Sequence, residues 1–333
     1  MHPVLFLIFN RPDTTARVFE AIRAARPPRL YVAADGPRAN RPGEAELCEE
    51  ARRIATTVDW PCDVKVLFRD QNLGCGRAVF EAISWFFQYE PEGIILEDDL
   101  LPDATFFTYC TELLARYRDD ARVMAIGGSG YGDADRFGTA SYTFARIFDP
   151  WGWASWRRAW SLHDAGVLGG LHDSGQLLDR AGPSGFECGE MWRGQFGLAA
   201  AGRIDTWDYP WMFSIFKAGG LVAYPATNLI SNLGFRADAT HTRHAENEEK
   251  PSNAERPLVS LVLPVSHPPR VRNNVRYEID YYSRRLELSR LPRQVVVWRA
   301  VRHNSSIVMA KVAPRLWDRL KALRDRCVGI ERA

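Results

Sequence analysis

The stretch Glu92-Gly93-Ile94-Ile95-Leu96-Glu97-Asp98-Asp99-Leu100-Leu101-Pro102 decides the fold assignment of this chain. Its apolar run, entered through Gly93 and left through Pro102, is typical of a buried strand in a parallel sheet. Three consecutive carboxylates at the end of such a strand are unfavourable unless something neutralises them. Hard divalent cations such as Mg²⁺ and Mn²⁺ bind one or two carboxylates together with substrate phosphates. The stretch therefore predicts a metal and diphosphate site, with an acidic turn after a strand as the alternative.

The sequence on both sides of this strand alternates between strand and helix patterns. Strands are predicted over residues 4–9, 29–34, 63–68, 93–96 and 122–126, and helices over 12–25, 43–58, 76–89 and 104–118. Regular alternation of this kind predicts an α/β fold with a doubly wound, parallel sheet and right-handed crossovers. Ligands bind at the C-terminal edge of such sheets, where we expect both Asp35 and Asp99.

Composition and the N-terminus set the class of protein. The 333 residues are 46% hydrophobic and 25% charged, which are ordinary values for a globular chain with a large core. The six cysteines form no CxxC pair and no zinc spacing, so we expect free thiols in a reducing compartment. The chain starts directly with a strand pattern, and no apolar run approaches about 18 residues. We therefore expect a cytoplasmic protein.

The C-terminal tail is basic and amphipathic. From Arg290 onward it has eleven Lys and Arg against three Asp and Glu, although the whole chain carries a net charge of only +2. Such a tail with Trp residues can lie on an anionic membrane surface, and the alternative is a solvated helix packed on the domain. Positive charge confined to the tail argues against nucleic acid as a partner.

Gly74-Cys75-Gly76 lacks the third glycine of a dinucleotide fingerprint, and no P-loop motif occurs.

Several motifs occur in an order that resembles one known family. Asn10-Arg11 follows the first strand, Ala34-Asp35-Gly36 the second, and Glu97-Asp98-Asp99-Leu100 the fourth, with Trp207-Asp208-Tyr209-Pro210-Trp211 further on. Over residues 3–235 the chain resembles GT-A fold glycosyltransferases, and more narrowly the N-acetylglucosaminyltransferase I family. The resemblance implies a Rossmann-like, doubly wound and mostly parallel sheet with a Trp-rich acceptor-side region. The basic helical C-terminal tail has no counterpart in the family and is predicted from its own sequence pattern.

The same resemblance implies an organisation of the chain. Residues 1–130 would form the nucleotide-sugar-binding half of the GT-A domain. Residues 131–256 would form the acceptor-side half with a mobile loop. Residues 257–333, for which the family offers no counterpart, are expected to form a basic, partly helical extension.

The resemblance also assigns the donor site. Asp99 is the expected direct ligand of Mn²⁺ or Mg²⁺, while Glu97 and Asp98 hold metal-bound water or ribose hydroxyls. His241, in a polar loop, is a further candidate metal ligand, with a solvated histidine as the alternative. The expected nucleotide-sugar ligands also include Asn10, Arg11 and Asp35, although Arg11 could face solvent and Asp35 could only begin a turn. Asn72 and Arg77 flank a turn at a helix start, where backbone N–H groups suit an anion.

On the acceptor side, a single carboxylate could take the proton from the attacking hydroxyl group. Asp208 is the first candidate for this base and Asp205 the second, and both could instead cap a helix that starts near Pro210. Trp151, Trp153 and Trp207 could stack on acceptor sugars or belong to the core.

These inferences predict a metal-dependent, inverting glycosyltransferase that moves a sugar from a nucleotide-diphosphate donor, with a UDP-sugar preferred. The expected acceptor is a glycan or a lipid-linked glycan in surface polysaccharide biosynthesis, at the inner face of the membrane. One alternative is a sugar nucleotidyltransferase, which usually has a Gly-rich basic loop that Phe9-Asn10-Arg11-Pro12-Asp13 lacks. The other is a catalytically inactive GT-A protein that binds a carbohydrate or a partner.

Overall fold

The computed structural model describes residues 1–133, 136–164, 166, 168, 178, 186–235 and 255–285. The chain divides into two compact units, residues 1–286 and residues 287–333. All secondary structure described below belongs to the first unit. His241 and the basic tail from Arg290 lie outside the described residues, so the predictions made for them are not tested.

The sheet elements and helices follow one another in the order that the sequence predicts for the first half. The strands are β1 (Val4–Ile8), β2 (Arg29–Ala34), β3 (Asp63–Phe68), β4 (Glu92–Glu97), β5 (Leu100–Pro102), β6 (Val123–Gly127), β7 (Tyr142–Ala145), β8 (Trp153–Trp156), β9 (Leu221–Pro225) and β10 (Ile230–Asn232). The helices are α1 (Pro12–Ala25), α2 (Glu44–Thr56), α3 (Cys75–Tyr89), α4 (Ala104–Arg116), α5 (Arg157–Trp160), α6 (Phe186–Ala200), α7 (Asp208–Ala218) and α8 (Val275–Arg285). The strands and helices predicted up to residue 126 are confirmed, with ends that differ by one to two residues.

Eight of these strands form the central sheet, in the order β3-β2-β1-β4-β8-β6-β9-β7. The strands from β3 to β4 are parallel, as are β6 and β9. This mixed α/β architecture with a large, mostly parallel sheet confirms the predicted fold class and is consistent with a Rossmann-like GT-A fold. The strand order reverses between β1 and β4, which is where open α/β sheets bind ligands.

Strand β8 interrupts the parallel sheet. It runs antiparallel between β4 and β6, with Ala154 opposite both Ile94 and Ile126. All four of its residues are buried, and the Ser155 hydroxyl donates to the backbone carbonyl of Met124 at 2.7 Å. The sequence pattern did not indicate this strand, because a buried segment of four residues has too few positions to show a period.

A small antiparallel ribbon of β5 and β10 extends past the end of β4. Asn232 lies opposite Leu100, and the Leu233 N–H donates to the Asp99 carbonyl at 2.8 Å. The ribbon therefore brings residues 232–235 against the acidic end of β4.

The segment after residue 255 packs on the sheet unit. On α8 the fully buried Glu278 accepts from the Arg146 guanidinium at 2.7 Å, and Asp280 accepts from Arg136 at 2.9 Å. The compact unit ends at residue 286, so part of the expected extension from residue 257 belongs to it. Within the described ranges, no helix has both the length and the apolar content needed to cross a membrane.

Candidate active site

A cleft of about 630 Å³ opens at the C-terminal ends of β1, β2 and β4. The parallel strands end at one edge, so the polar residues that follow them in sequence converge there. Most of the side chains proposed from the sequence line this cleft: Asn10, Arg11, Asp35, Asn72, Glu97, Asp98, Asp99, Trp151, Asp205, Trp207 and Asp208.

Among the residues that the structure describes, two of those proposed from the sequence do not line the cleft. The Arg77 side chain is 69% exposed and pairs with Glu81 one helical turn along α3, at 2.7 Å. Trp153 is fully buried and stacks on Trp207 with ring centroids 5.6 Å apart. Trp153 thus has the core position that the sequence left as its alternative.

The three carboxylates after β4 have different surroundings. Asp98 Oδ2 accepts from the Phe9 N–H at 2.9 Å, which ties the end of β1 to the end of β4. Burial and the neighbouring Asp99 raise the pKa of Asp98 to about 7. Burial together with Asp99, Asp98 and Asp208 raises the pKa of Glu97 well above its ordinary value. The cluster therefore concentrates negative charge that a bound cation would stabilise.

Arg11 supplies positive charge to this cluster. It immediately precedes α1, and its Nη1 lies 2.6 Å from Asp99 Oδ2, with both side chains mostly buried. The guanidinium therefore points into the cleft and not into solvent. Gly234, from the end of the β5–β10 ribbon, lies against the same carboxylate, because a Cβ there would be 2.2 Å from Asp99 Oδ2.

The donor atoms fit a cation that is shared with a phosphate ligand. Among the described residues, no group of three or more His, Cys, Asp or Glu side chains is arranged to hold a metal ion. Mg²⁺ usually binds one or two carboxylates and completes its shell with phosphate oxygens and waters. Asp99 and Glu97 line the cleft and match that requirement, whereas a site made of protein ligands alone is not present in this part of the chain.

Asp35 organises the loop between β3 and α3. Its carboxylate accepts from the backbone N–H of Gly36 at 2.9 Å and from those of Leu73 and Gly74 at 3.0 Å. The Asn72 side-chain amide also donates to it at 3.0 Å. Asp35 therefore begins an Asp-Gly turn and, in addition, fixes a loop that forms one wall of the cleft.

Asp205 occupies the N-terminus of α3. Its Oδ1 accepts from the Gly76 N–H at 3.0 Å. A Cβ on Gly74 or Gly76 would lie 2.5 Å from the Asp205 carboxylate oxygens, so the contact depends on both glycines. A carboxylate is favourable at a helix N-terminus, where the sequence predicted an external anion. Asp205 therefore connects the loop before α7 to the loop before α3.

Asp208 is the first residue of α7 and faces the same cleft. It accepts a hydrogen bond from the Thr206 hydroxyl, and its charge contributes to the raised pKa of Glu97. Asp208 therefore has a polar partner and lies close to the carboxylates after β4.

The sequence did not single out several other residues that line the cleft. Cys75 lies among the carboxylates: burial, followed by Glu97 and Asp208, raises the pKa of its thiol well above the ordinary value. Arg38 and Arg69 pair with glutamates on α2 and α3, and Asn232 and Phe235 arrive with the β5–β10 ribbon. The Asn and aromatic residues that follow β9 in the sequence were the available signal for the ribbon.

Aromatic residues form the wall of the cleft next to Asp208. Trp207 stacks on Trp153, and Trp151 packs edge-on against Phe235 at a centroid distance of 5.7 Å. Trp151 and Trp207 are largely buried, yet both reach the cleft.

Comparison with known proteins gives similarity to solved structures only. No protein family model and no curated protein matches the sequence. TarS (residues 1–349) of S. aureus is 10% identical, with a TM-score of 0.40 over 71% of this chain and 61% of that chain. HddC of Yersinia pseudotuberculosis is 11% identical, with a TM-score of 0.30 over 47% of this chain and 78% of that chain.

The inositol-1-phosphate CTP transferase of T. maritima is 11% identical, with a TM-score of 0.31 over 50% of this chain and 74% of that chain. This chain thus spans 61% of the length of the TarS chain that it matches. Similarity at this level carries no argument about activity, which has to come from the cleft itself.

Proposed function

We propose that this chain is a glycosyltransferase that uses a nucleotide-diphosphate sugar and a divalent cation, Mn²⁺ or Mg²⁺. The observation that carries the proposal is the placement of Arg11, Asp99 and Asp208 around one cleft at the C-terminal edge of the sheet. The guanidinium of Arg11 and the carboxylate of Asp99 suit a metal-bound diphosphate. The separate carboxylate of Asp208 suits an acceptor that reacts through a hydroxyl group.

On the donor side, the Arg11 guanidinium would bind phosphate oxygens, for which its planar group is well shaped. Asp99 and Glu97 would hold the cation, which when bound would stabilise the negative charge of the departing diphosphate. The loop fixed by Asp35 and Asn72 would lie beside the nucleoside, and a UDP-sugar is the proposed donor.

On the acceptor side, Asp208 would accept the proton of the attacking hydroxyl group at its carboxylate. The neighbouring walls of Trp151 and Trp207 would offer apolar surface to a sugar ring. Asp205 is less suited to this role, because its Oδ1 already accepts from the backbone of Gly76. Inversion at the anomeric carbon and a glycan or lipid-linked acceptor in surface polysaccharide synthesis rest on the family resemblance alone.

The proposal is tested with a panel of nucleotide sugars and the purified protein, in the presence of Mn²⁺, in the presence of Mg²⁺ and without metal. We expect metal-dependent binding of at least one donor, and release of the nucleoside diphosphate when an acceptor is present. Formation of pyrophosphate from a nucleoside triphosphate and a sugar phosphate would instead identify a nucleotidyltransferase. If no donor is recognised with either metal, the proposed function is wrong.

A further inference from the structure

Residues 257–272, here called the flanking segment, run along the whole length of α4. At the start of α4, Ser260 Oγ donates to Asp103 Oδ2 at 2.8 Å, and the Leu261 N–H donates to Thr105 Oγ1 at 3.0 Å. Further along, His267 Nε2 lies 3.0 Å from Glu112 Oε1. From Thr105 to Arg116 the helix rises about 16 Å, so the flanking segment is a surface strip of that length.

The first part of the flanking segment presents apolar side chains to solvent. Val262 is 85% exposed and Leu263 is 46% exposed, and the exposed Pro264 follows. Leu261 and Val265 on either side are buried, so both ends of this short stretch are anchored in the protein. Two adjacent aliphatic residues held outward between buried anchors form an apolar projection that water solvates poorly.

The last part of the flanking segment borders a basic cleft. Arg270 and Arg272 line a space of about 550 Å³ together with Arg116, Arg122 and two prolines. Arg122 pairs with Asp120 at 2.7 Å, but among the residues that the structure describes no carboxylate lines the cleft itself. Four guanidinium groups around one space repel each other and attract phosphate groups.

We propose that the flanking segment, with Arg116 and Arg122, docks the protein on an anionic lipid bilayer. Val262 and Leu263 would enter the interfacial region of the bilayer, while the arginines bind lipid phosphates about 16 Å away along α4. A soluble polyanion would engage the arginines and leave the apolar projection in water, so the combination favours the bilayer. The surface is separate from the donor cleft and does not depend on the proposed transferase activity.

The test measures partitioning of the full-length protein onto vesicles of phosphatidylglycerol and phosphatidylcholine by sedimentation. We expect binding to the mixed vesicles, little binding to pure phosphatidylcholine, and weakening by salt. Arg270→Gln with Arg272→Gln should weaken partitioning about thirty-fold, since each basic residue near an anionic surface strengthens partitioning about five- to six-fold and the two factors multiply. Val262→Ser with Leu263→Ser should weaken it about tenfold.

Two matched variants control for nonspecific effects. Arg53→Gln removes an exposed arginine on α2, and Val66→Ser removes an exposed valine on β3, and both should leave partitioning unchanged. Thermal unfolding checks that every variant is folded. If both double variants partition like the wild type, the proposal is overturned. Binding of soluble polyphosphate is measured in parallel. The proposal is also overturned if the arginine double variant loses polyphosphate binding while the Val262 and Leu263 double variant keeps full vesicle binding.

Discussion

Arg11 Nη1 donates to Asp99 Oδ2 at 2.6 Å across the cleft, between residues that are 88 positions apart in sequence. Each group thus neutralises the charge of the other. A cation bound by Asp99 and a phosphate bound by Arg11 would replace this ion pair with two new ones. The pair therefore explains how two oppositely charged groups remain stable in a mostly buried position.

Asp99→Asn is predicted to abolish the effect of Mn²⁺ on donor binding. The amide keeps the shape of the side chain but loses the negative charge that a hard cation requires. The measurement is calorimetric titration of the donor identified by the nucleotide-sugar panel, with and without Mn²⁺. Asp119→Asn, an exposed carboxylate beyond α4, is the control and should bind like the wild type. Unchanged metal dependence in Asp99→Asn would remove Asp99 from the metal site.

Asp208→Asn is predicted to keep donor binding and to lower the transfer rate by about 10²- to 10⁴-fold, as expected for loss of a general base. The amide still accepts from the Thr206 hydroxyl, so the start of α7 should be retained. The rate of nucleotide release in the presence of acceptor measures transfer, and titration of the donor measures donor binding. A variant that transfers sugar at the wild-type rate would show that another residue is the base.

Asp205 is predicted to position the cleft loops without taking part in proton transfer. Asp205→Asn retains an oxygen that can accept from the Gly76 N–H and should keep most of the activity. Asp205→Ala removes this cap of α3 and should lower the free energy of unfolding by about 1 kcal/mol. Gly76→Ala should be destabilising because its Cβ would meet the Asp205 carboxylate at 2.5 Å. Urea unfolding measures stability, and turnover is followed in parallel. Equal loss of activity in the Asn and Ala variants, with both folded, would favour a direct chemical role.

His163 is predicted to make the protein less stable in acid. Its ring lies between Trp160, at a centroid distance of 4.5 Å, and Phe80, at 4.8 Å, and it stacks on Trp211. Burial lowers the pKa of His163 from 6.5 to about 4. The unfolded chain therefore binds this proton more readily, and stability is lost as the pH falls below the unfolded value of about 6.5.

Between pH 7.5 and pH 5 this single group should reduce the free energy of unfolding by about 2 kcal/mol. His163→Phe keeps a ring in the aromatic cluster and should remove this part of the pH dependence. Urea unfolding of both proteins at the two pH values is the measurement. The prediction fails if the pH dependence of His163→Phe equals that of the wild type.

The strand and helix pattern of the first half was predictable because each element there is long enough to show its period. The four-residue strand β8 and the three-residue strands β5 and β10 were not, since their pairing partners lie far away in sequence. The same distinction applies to the tryptophans. Composition alone could not separate Trp153, which is in the core, from Trp151 and Trp207, which reach the cleft.

The sequence by itself determined that Glu97, Asp98 and Asp99 end a buried strand of a mostly parallel sheet, because apolar periodicity and chain order are local properties. Only the tertiary structure decided the partners of the polar groups. Arg11 points to Asp99, Asp35 holds a backbone loop, and Asp205 caps a helix 129 positions away. These contacts depend on how distant segments approach each other, since a buried carboxylate accepts from whichever donors the packed fold places beside it.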